Sequence, residues 1–378
     1  MDNPFVFNGA VDTQYFAGRI EEISHLTANF TFLTNTLIAS PQGWGKSSLV
    51  KKAAEAAVFR EPKLRIARMD LFNIRSEEQF YIFLAQAVIQ AISSTIDEAV
   101  GYVSRYLGTI SPKIGIGAGK ASELTLDFSW SDIRKNKDNI LRLPTSVAEE
   151  LGIKIIICID NFHNAEWFDN IDEFIARLEE SMMQQNNVAY CICGNDSRIM
   201  DRMANSFRPI SVYGERMEIG KINSKDLLSF ICDRFAESSK YIDNETARCI
   251  IDCVEGHPSY VQQLAHLSWL RTSVVCTKEI VLNAHAVMVD QMSLLFKTLT
   301  STLTNQQLCY MNALLSGEKI ISTSDILHKY RITSATSASR SKTALLEKDI
   351  LTIGRDGIRF TDPLYAFWLR HKYFSNSI

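Results

Sequence analysis

Apolar positions along the first part of the chain follow two alternating rhythms. Short, nearly continuous apolar runs alternate with longer stretches whose apolar residues recur three or four positions apart. The first rhythm suits strands buried on both faces, and the second suits helices packed against them. Strands are expected at 36–39, 63–71, 154–160 and 188–193, with helices at 46–59, 77–106, 139–151 and 170–185. Strand and helix in alternation predict a parallel sheet covered by helices. Residues 109–128 (TISPKIGIGAGKASELTLDF) alternate apolar and polar positions between glycines and read as an inserted β-hairpin. Their G-x-G-x-G lies on no strand-to-helix junction and is not read as a second nucleotide motif.

From about Asn223 the strand-like runs stop. Helical patterns at 226–237, 246–254, 259–272 and 277–295 predict an all-helical region. Further helices at 304–315, 323–330 and 334–348 precede a hairpin at 350–360, with Asp356-Gly357 at its turn, and a last helix at 363–373. Three helices followed by a β-wing is the winged-helix order. The expected domains are therefore 1–221, containing the 109–128 insertion, then 222–295 and 296–378.

Composition narrows the class. The chain has 378 residues, 46% hydrophobic and 22% charged, enough apolar surface for two or three cores and too much for disorder. The start MDNPFVFNGA lacks a basic region followed by a long apolar run, and no apolar run elsewhere approaches membrane-spanning length. A cytoplasmic protein with no membrane partner is expected. The eight cysteines form no C-x-x-C pair and do not cluster with the seven histidines, so buried reduced thiols are expected. The net charge of −3 is uneven: residues 319–378 carry ten Lys/Arg and five Asp/Glu, leaving 30 against 38 in the remainder. A basic C-terminal module on an acidic body points to a polyanionic partner.

The chemistry begins at Ser40-Pro41-Gln42-Gly43-Trp44-Gly45-Lys46-Ser47-Ser48, which follows an expected strand and opens an expected helix. This matches a phosphate-binding loop, G-x-x-x-x-G-K-[ST], except that serine stands at its first position. Backbone N–H groups from Gln42 to Ser48 would converge on phosphates at the positive end of the helix. Gly43 and Gly45 permit the turn, Lys46 supplies a cation, and Ser47 a hydroxyl for Mg²⁺. Asp160, ending the apolar run 154–159, supplies the carboxylate that such a site places at a neighbouring strand tip.

These elements, with several short boxes, resemble the archaeal-type ATPase family within the STAND branch of the AAA superfamily. Phe16-Ala17-Gly18-Arg19-Ile20-Glu21-Glu22-Ile23 is similar to the family's F-x-G-R-x-x-E-[IL] box. Tyr213-Gly214-Glu215-Arg216 is similar to its Y-G-R element, and Gly256-His257-Pro258 to the G-x-P motif of the helical lid. The resemblance extends to the winged helix and to the Asp362-Pro363-Leu364-Tyr365 that follows it. It implies a P-loop ATPase fold with a helical lid and a winged helix, using ATP or ADP with Mg²⁺. It places Phe16, Gly18 and Arg19 on the adenine side, Asn195 as the residue sensing the phosphate, and Arg216 and His257 near the phosphates, beside Pro258.

Two departures stand out. Ser40 replaces the loop glycine, and Ser40-Pro41 is expected to keep the turn. Asn161 replaces the glutamate that the family places after the metal-binding aspartate. An amide can hold a water but cannot take its proton, so tight ATP binding with slow hydrolysis is expected. Glu166 and His163 are the alternative sources of a base. For the winged helix, Arg340, Lys342, Arg355 and Arg359 would meet double-stranded DNA. The alternative is docking on protein, in this chain or a partner, including a homo-oligomer. The expected function is an ATP-binding switch whose nucleotide state controls the winged helix. The alternative is a DNA-binding regulator for which nucleotide is a structural ligand.

Overall fold

The computed structural model describes residues 3–7, 16–108, 113–116, 124–127, 129–195, 198–354 and 357–375. The chain forms two compact units, Ala10–Gly220 and a second made of Met1–Gly9 with Lys221–Ile378.

In the first unit the strands in chain order are β1 (Thr36–Ala39), β2 (Leu64–Asp70), β3 (Lys113–Ile116), β4 (Leu124–Asp127), β5 (Lys154–Asp160), β6 (Val188–Gly194) and β7 (Glu215–Glu218). Five of them form a parallel sheet in the order β2-β5-β6-β1-β7. β3 and β4 pair with each other, antiparallel, as the expected hairpin; the residues between them lie outside those described.

The uninterrupted apolar runs follow from two covered faces. Ile155, Ile157 and Ile159 of β5 join one core with Phe80, Tyr81 and Phe174. Ile156 and Cys158 join the other, against the helices Ile20–Thr31 and Lys46–Arg60 through Leu26, Phe30, Leu49 and Ala53. Cys191 and Cys193 share that second face, with their sulfurs 3.9 Å apart, and all eight cysteines are free thiols.

The helix expected over 77–106 is two helices, Glu77–Ile92 and Ile96–Leu107. Ser93-Ser94-Thr95 breaks it: the Thr95 side chain accepts from Glu98 N, and Glu98 accepts from Ser94 N. Hydroxyl residues offer the backbone this alternative to a continued helix. Helices at Trp130–Lys135, Arg198–Ser206 and Arg208–Ser211 had no expectation in the pattern. Gly214 sits where a Cβ would lie 2.5 Å from the Pro209 carbonyl oxygen and 2.6 Å from that of Asn35, so the approach to β7 requires glycine.

In the second unit the helices Ser224–Glu237, Asn244–Cys253, Pro258–Arg271 and Lys278–Ser301 are joined by two short parallel strands, β8 (Tyr241–Ile242) and β9 (Val275–Cys276). The region expected to be all-helical thus contains one small pairing. Phe5 is buried among Phe230 and Phe235, 6.1 and 5.8 Å away. Three more helices, Asn305–Leu315, Ser324–Lys329 and Ala335–Glu347, lead to the antiparallel pair β10 (Leu351–Gly354) and β11 (Gly357–Phe360). The last helix, Pro363–Trp368, continues as a wider turn over Leu369–Tyr373.

The helix Lys278–Ser301 outruns its expected end because its last turns are covered by that final helix. Phe296 lies 5.3 Å from Tyr365 and 5.9 Å from Trp368, and Thr300 Oγ1 shares a 2.8 Å hydrogen bond with Tyr365 Oη. On the same helix His285 is buried, edge-on to Phe367, and its Nε2 has no hydrogen-bond partner among the described residues. Burial lowers its pKa, a hydrogen bond to the Cys253 backbone opposes this, and His371 adds to the lowering. The unfolded chain therefore takes up a proton before the folded one as pH falls. Stability is complete above the ordinary histidine range and declines through it toward the folded pKa, by at most about 1.4 kcal/mol per pH unit. Urea unfolding at pH 7.5 and 5.5 should show a smaller acid loss for His285→Leu than for the wild type.

Candidate phosphate-binding site

The loop that follows β1 is fixed at both ends by backbone. Ser40 is buried and its N–H donates to the Gly194 carbonyl at 3.3 Å, tying the loop's first residue to the end of β6. Gly43 and Gly45 have φ of 75° and 87°, left-handed values that a side chain would strain. Ser40 is not among the residues with positive φ, so the missing first glycine costs the turn nothing. Gly45 also caps the helix Lys46–Arg60, so the positive end of that helix opens directly from the loop. Gln42, Gly43 and Ser47 are exposed at the mouth, while Trp44 and Ser48 are buried and Pro41 is half-buried.

Lys46 is only 7% exposed, and its ammonium donates to the Ser40 carbonyl (2.6 Å), the Pro41 carbonyl (3.0 Å) and Asn195 Oδ1 (3.1 Å). The Ser47 hydroxyl donates to Asp160 Oδ2. Asp160 ends β5 and Asn195 directly follows β6, so parallel pairing brings both to the edge from which the loop springs. Lys46, Ser47, Asp160 and Asn195, chosen from sequence, thus meet at one place.

Asn161 has a left-handed backbone, φ 54°, and its side-chain N–H donates to Asp70 Oδ1 at 2.8 Å. Asp70 ends β2, in register with Asp160, and was not picked out from sequence. Its signal was a weaker form of the one that singled out Asp160, an acidic residue near the end of an expected strand, here one interrupted by Arg65 and Arg68. A cleft of about 240 Å³ beside the loop is lined by Ser47, Asp160 and Asp70, with Arg68 and Lys51.

Residues Phe162–Trp167 form a 3₁₀ turn that touches the segment after β6 twice. His163 Nδ1 accepts from Asn195 N (3.2 Å), and Glu166 Oε1 accepts from Ile199 N (2.9 Å). Burial, and then the Lys46 charge, lower the His163 pKa, against smaller opposing effects of Glu166, Asp160 and Asp70. The two residues considered as alternative bases both hold the neighbouring segment.

Comparison with known structures identifies the fold. Across nearly the whole chain the protein is similar to the Walker-type ATPase PABY2304 of Pyrococcus abyssi, with TM-score 0.67 and 14% identity over 97% of this chain and 99% of that one. The fold is that of a P-loop ATPase ending in a winged helix. Residues 294–371 match a family model described as a probable winged helix domain. Two Aeropyrum pernix proteins superpose with TM-score 0.51. ORC1, in complex with DNA, does so at 13% identity over 96% of this chain and 95% of its own. ORC2, in ADPNP–ADP complexes, does so at 14% identity over 98% of each. No curated protein matches the chain in sequence. Among the described residues no helix is long and apolar enough to cross a membrane.

Within this P-loop fold the remaining candidates fall in varied places. Gly18 and Arg19 have left-handed backbones, φ 58° and 56°. The Arg19 guanidinium is buried: Nη2 donates to the carbonyls of Trp44 (3.0 Å) and Gly220 (2.9 Å), and Nη1 pairs with Glu22 (3.2 Å). Burial lowers its pKa and Glu22 opposes this. Its side chain braces the loop from behind. Phe16 is half-buried with the Lys52 ammonium 4.8 Å from its ring centre. Arg216 pairs in register with Leu37, two residues short of the position facing Ala39, and lies 3.9 Å from Glu218. Two residues of strand is about 7 Å, so its Cα sits below the edge that carries the loop.

In the second unit His257 is buried and caps the helix that Pro258 opens, its Nδ1 accepting from Tyr260 N at 3.4 Å. Tyr260 Oη donates to Asp362 Oδ2 (2.9 Å), and Asp362 caps the last helix through Leu364 N and Tyr365 N. The G-x-P turn is thereby joined to the end of the winged helix. Arg340 is exposed and Lys342 half-exposed on the helix Ala335–Glu347, with no ion pair among the described residues. Gln306 Oε1 fixes that helix's start by accepting from Thr333 N (2.9 Å) and Ser337 Oγ (3.0 Å). Arg359 is half-buried on β11, and Arg355 lies outside the described residues.

Proposed function

We propose that this chain is an ATP-binding molecular switch of the STAND/AAA type, acting in the cytoplasm, which hydrolyses ATP slowly and whose nucleotide state controls the winged helix. The observation that carries this reading is the convergence of Lys46, Ser47, Asp160 and Asn195 at one sheet edge beside a glycine loop and a helix N-terminus. Loop N–H groups and the Lys46 ammonium suit the phosphates. Ser47 Oγ and the Asp160 carboxylate are hard oxygen donors already in contact at an exposed mouth, which fits Mg²⁺. The metal would supply charge neutralisation of the phosphates. Asn161 can orient a water through its amide but takes no proton, which supports slow turnover.

A second reading, a DNA-binding regulator for which nucleotide is structural, is favoured by Arg340 and Lys342, which have no ion pair among the described residues, and by the likeness to a protein solved in complex with DNA. Calorimetric titration of the full chain with Mg-ATP and Mg-ADP, alongside filter binding of random duplex DNA at two salt concentrations, tests both. Micromolar or tighter nucleotide binding is expected, with salt-sensitive DNA binding that differs between ATP and ADP and weakens in Arg340→Glu. Absence of nucleotide binding overturns the switch; DNA binding indifferent to nucleotide favours the second reading.

A further inference from the structure

We propose that His163 is a positioning residue for Asn195, its unprotonated Nδ1 holding the Asn195 backbone so that the side chain stays on Lys46. The inference rests on the reading of this edge as a nucleotide site and concerns how that site is set. The donor at 3.2 Å is a backbone N–H, so the acceptor must be an imidazole nitrogen with its lone pair free, and the proton sits on Nε2. The charged groups acting on the ring are Lys46 of the loop helix, Glu166 of its own turn, Asp160 at the end of β5 and Asp70 at the end of β2.

The turn is a rigid platform. Phe162 and Ala165 are fully buried in the core, which fixes the backbone on both sides of His163. Glu166, one turn on, takes the Ile199 N–H at the start of the helix Arg198–Ser206. A single 3₁₀ turn beginning just past Asp160 therefore holds the segment after β6 at two points. Asn195 Oδ1 is the one side-chain acceptor among the three hydrogen bonds of the Lys46 ammonium described above, the others being loop carbonyls. Movement of the Asp160 strand tip is passed through His163 to Asn195, and from there to the lysine that meets the phosphates. Groups that orient a functional side chain from behind commonly change activity by about 10- to 100-fold when removed.

Three measurements on the full chain test this. Long-range ¹H–¹⁵N correlation of the imidazoles in nucleotide-free protein at pH 7.5 should show His163 as the Nε2–H tautomer; the Nδ1–H tautomer overturns the proposal. His163→Leu should discriminate ATP from ADP about 10-fold less well than wild type, with ADP affinity changed by no more than about 2-fold. His163→Asn, whose Oδ1 lies where Nδ1 lies, should restore discrimination to within about 3-fold of wild type. Equal discrimination in His163→Leu and wild type, or failure of His163→Asn to rescue, overturns it. Absence of nucleotide binding by the wild type would instead refute the site itself, and the tautomer would still decide the contact.

Discussion

Lys46→Ala is expected to weaken Mg-ATP binding about 100-fold or more in calorimetric titration, with the fold unchanged by circular dichroism. A hydrogen bond from a charged donor contributes about 1.5–3 kcal/mol, and a phosphate tail offers the ammonium more than one acceptor. A 100-fold loss corresponds to about 2.8 kcal/mol, within what one such group supplies. The charge is held in place by Ser40, Pro41 and Asn195, so it meets the phosphate without first being ordered. Lys52, which lies over the Phe16 ring on the same helix, is the control: Lys52→Ala should change affinity by no more than about 3-fold, since its charge is directed elsewhere. Unchanged ATP affinity in Lys46→Ala would remove the loop from the binding site.

The second large effect concerns turnover. Restoring a carboxylate at position 161 would be expected to add roughly 10²–10⁴-fold to hydrolysis if the site needed only a general base. The structure argues that Asn161→Glu alone falls short. The Asn161 amide donates to Asp70, and a glutamate there would face a like charge across the same gap. The left-handed backbone at 161 also favours asparagine over glutamate, by about 1 kcal/mol or more. Asn161→Glu with Asp70→Asn should therefore exceed Asn161→Glu by at least about 10-fold in single-turnover phosphate release. If the single variant already shows the full gain, Asp70 does not oppose the carboxylate. If neither variant gains, another group supplies the base.

Much of the fold was legible because burial on both faces of a parallel sheet leaves a local trace. The run ending at Asp160 is apolar at every position since its odd and even side chains enter different cores. The loop glycines are legible for a similar reason, being fixed by their own φ. Contacts between distant segments leave no such trace. That His163 meets Asn195, or that Asn161 meets Asp70, depends on strand register across a sheet. Arg216 has the right neighbours in sequence, yet register sets it two residues back from the edge. The break at Ser93-Ser94-Thr95 was hidden by apolar periodicity that continues on either side of it, although its hydroxyl residues were in view.

Arg19 shows what the P-loop asks of the rest of its unit. The carbonyl oxygens of Trp44 and Gly220 both point at one nitrogen of its guanidinium. Two carbonyl dipoles aimed at a common point repel one another unless positive charge lies between them. The chain supplies that charge covalently, as a built-in counter-ion buried where salt screens it little. The resting shape of the loop is therefore set by the protein's own cation rather than by the ions of the solution. Changes in ionic strength will act on what binds at the loop's mouth and leave its back wall in place.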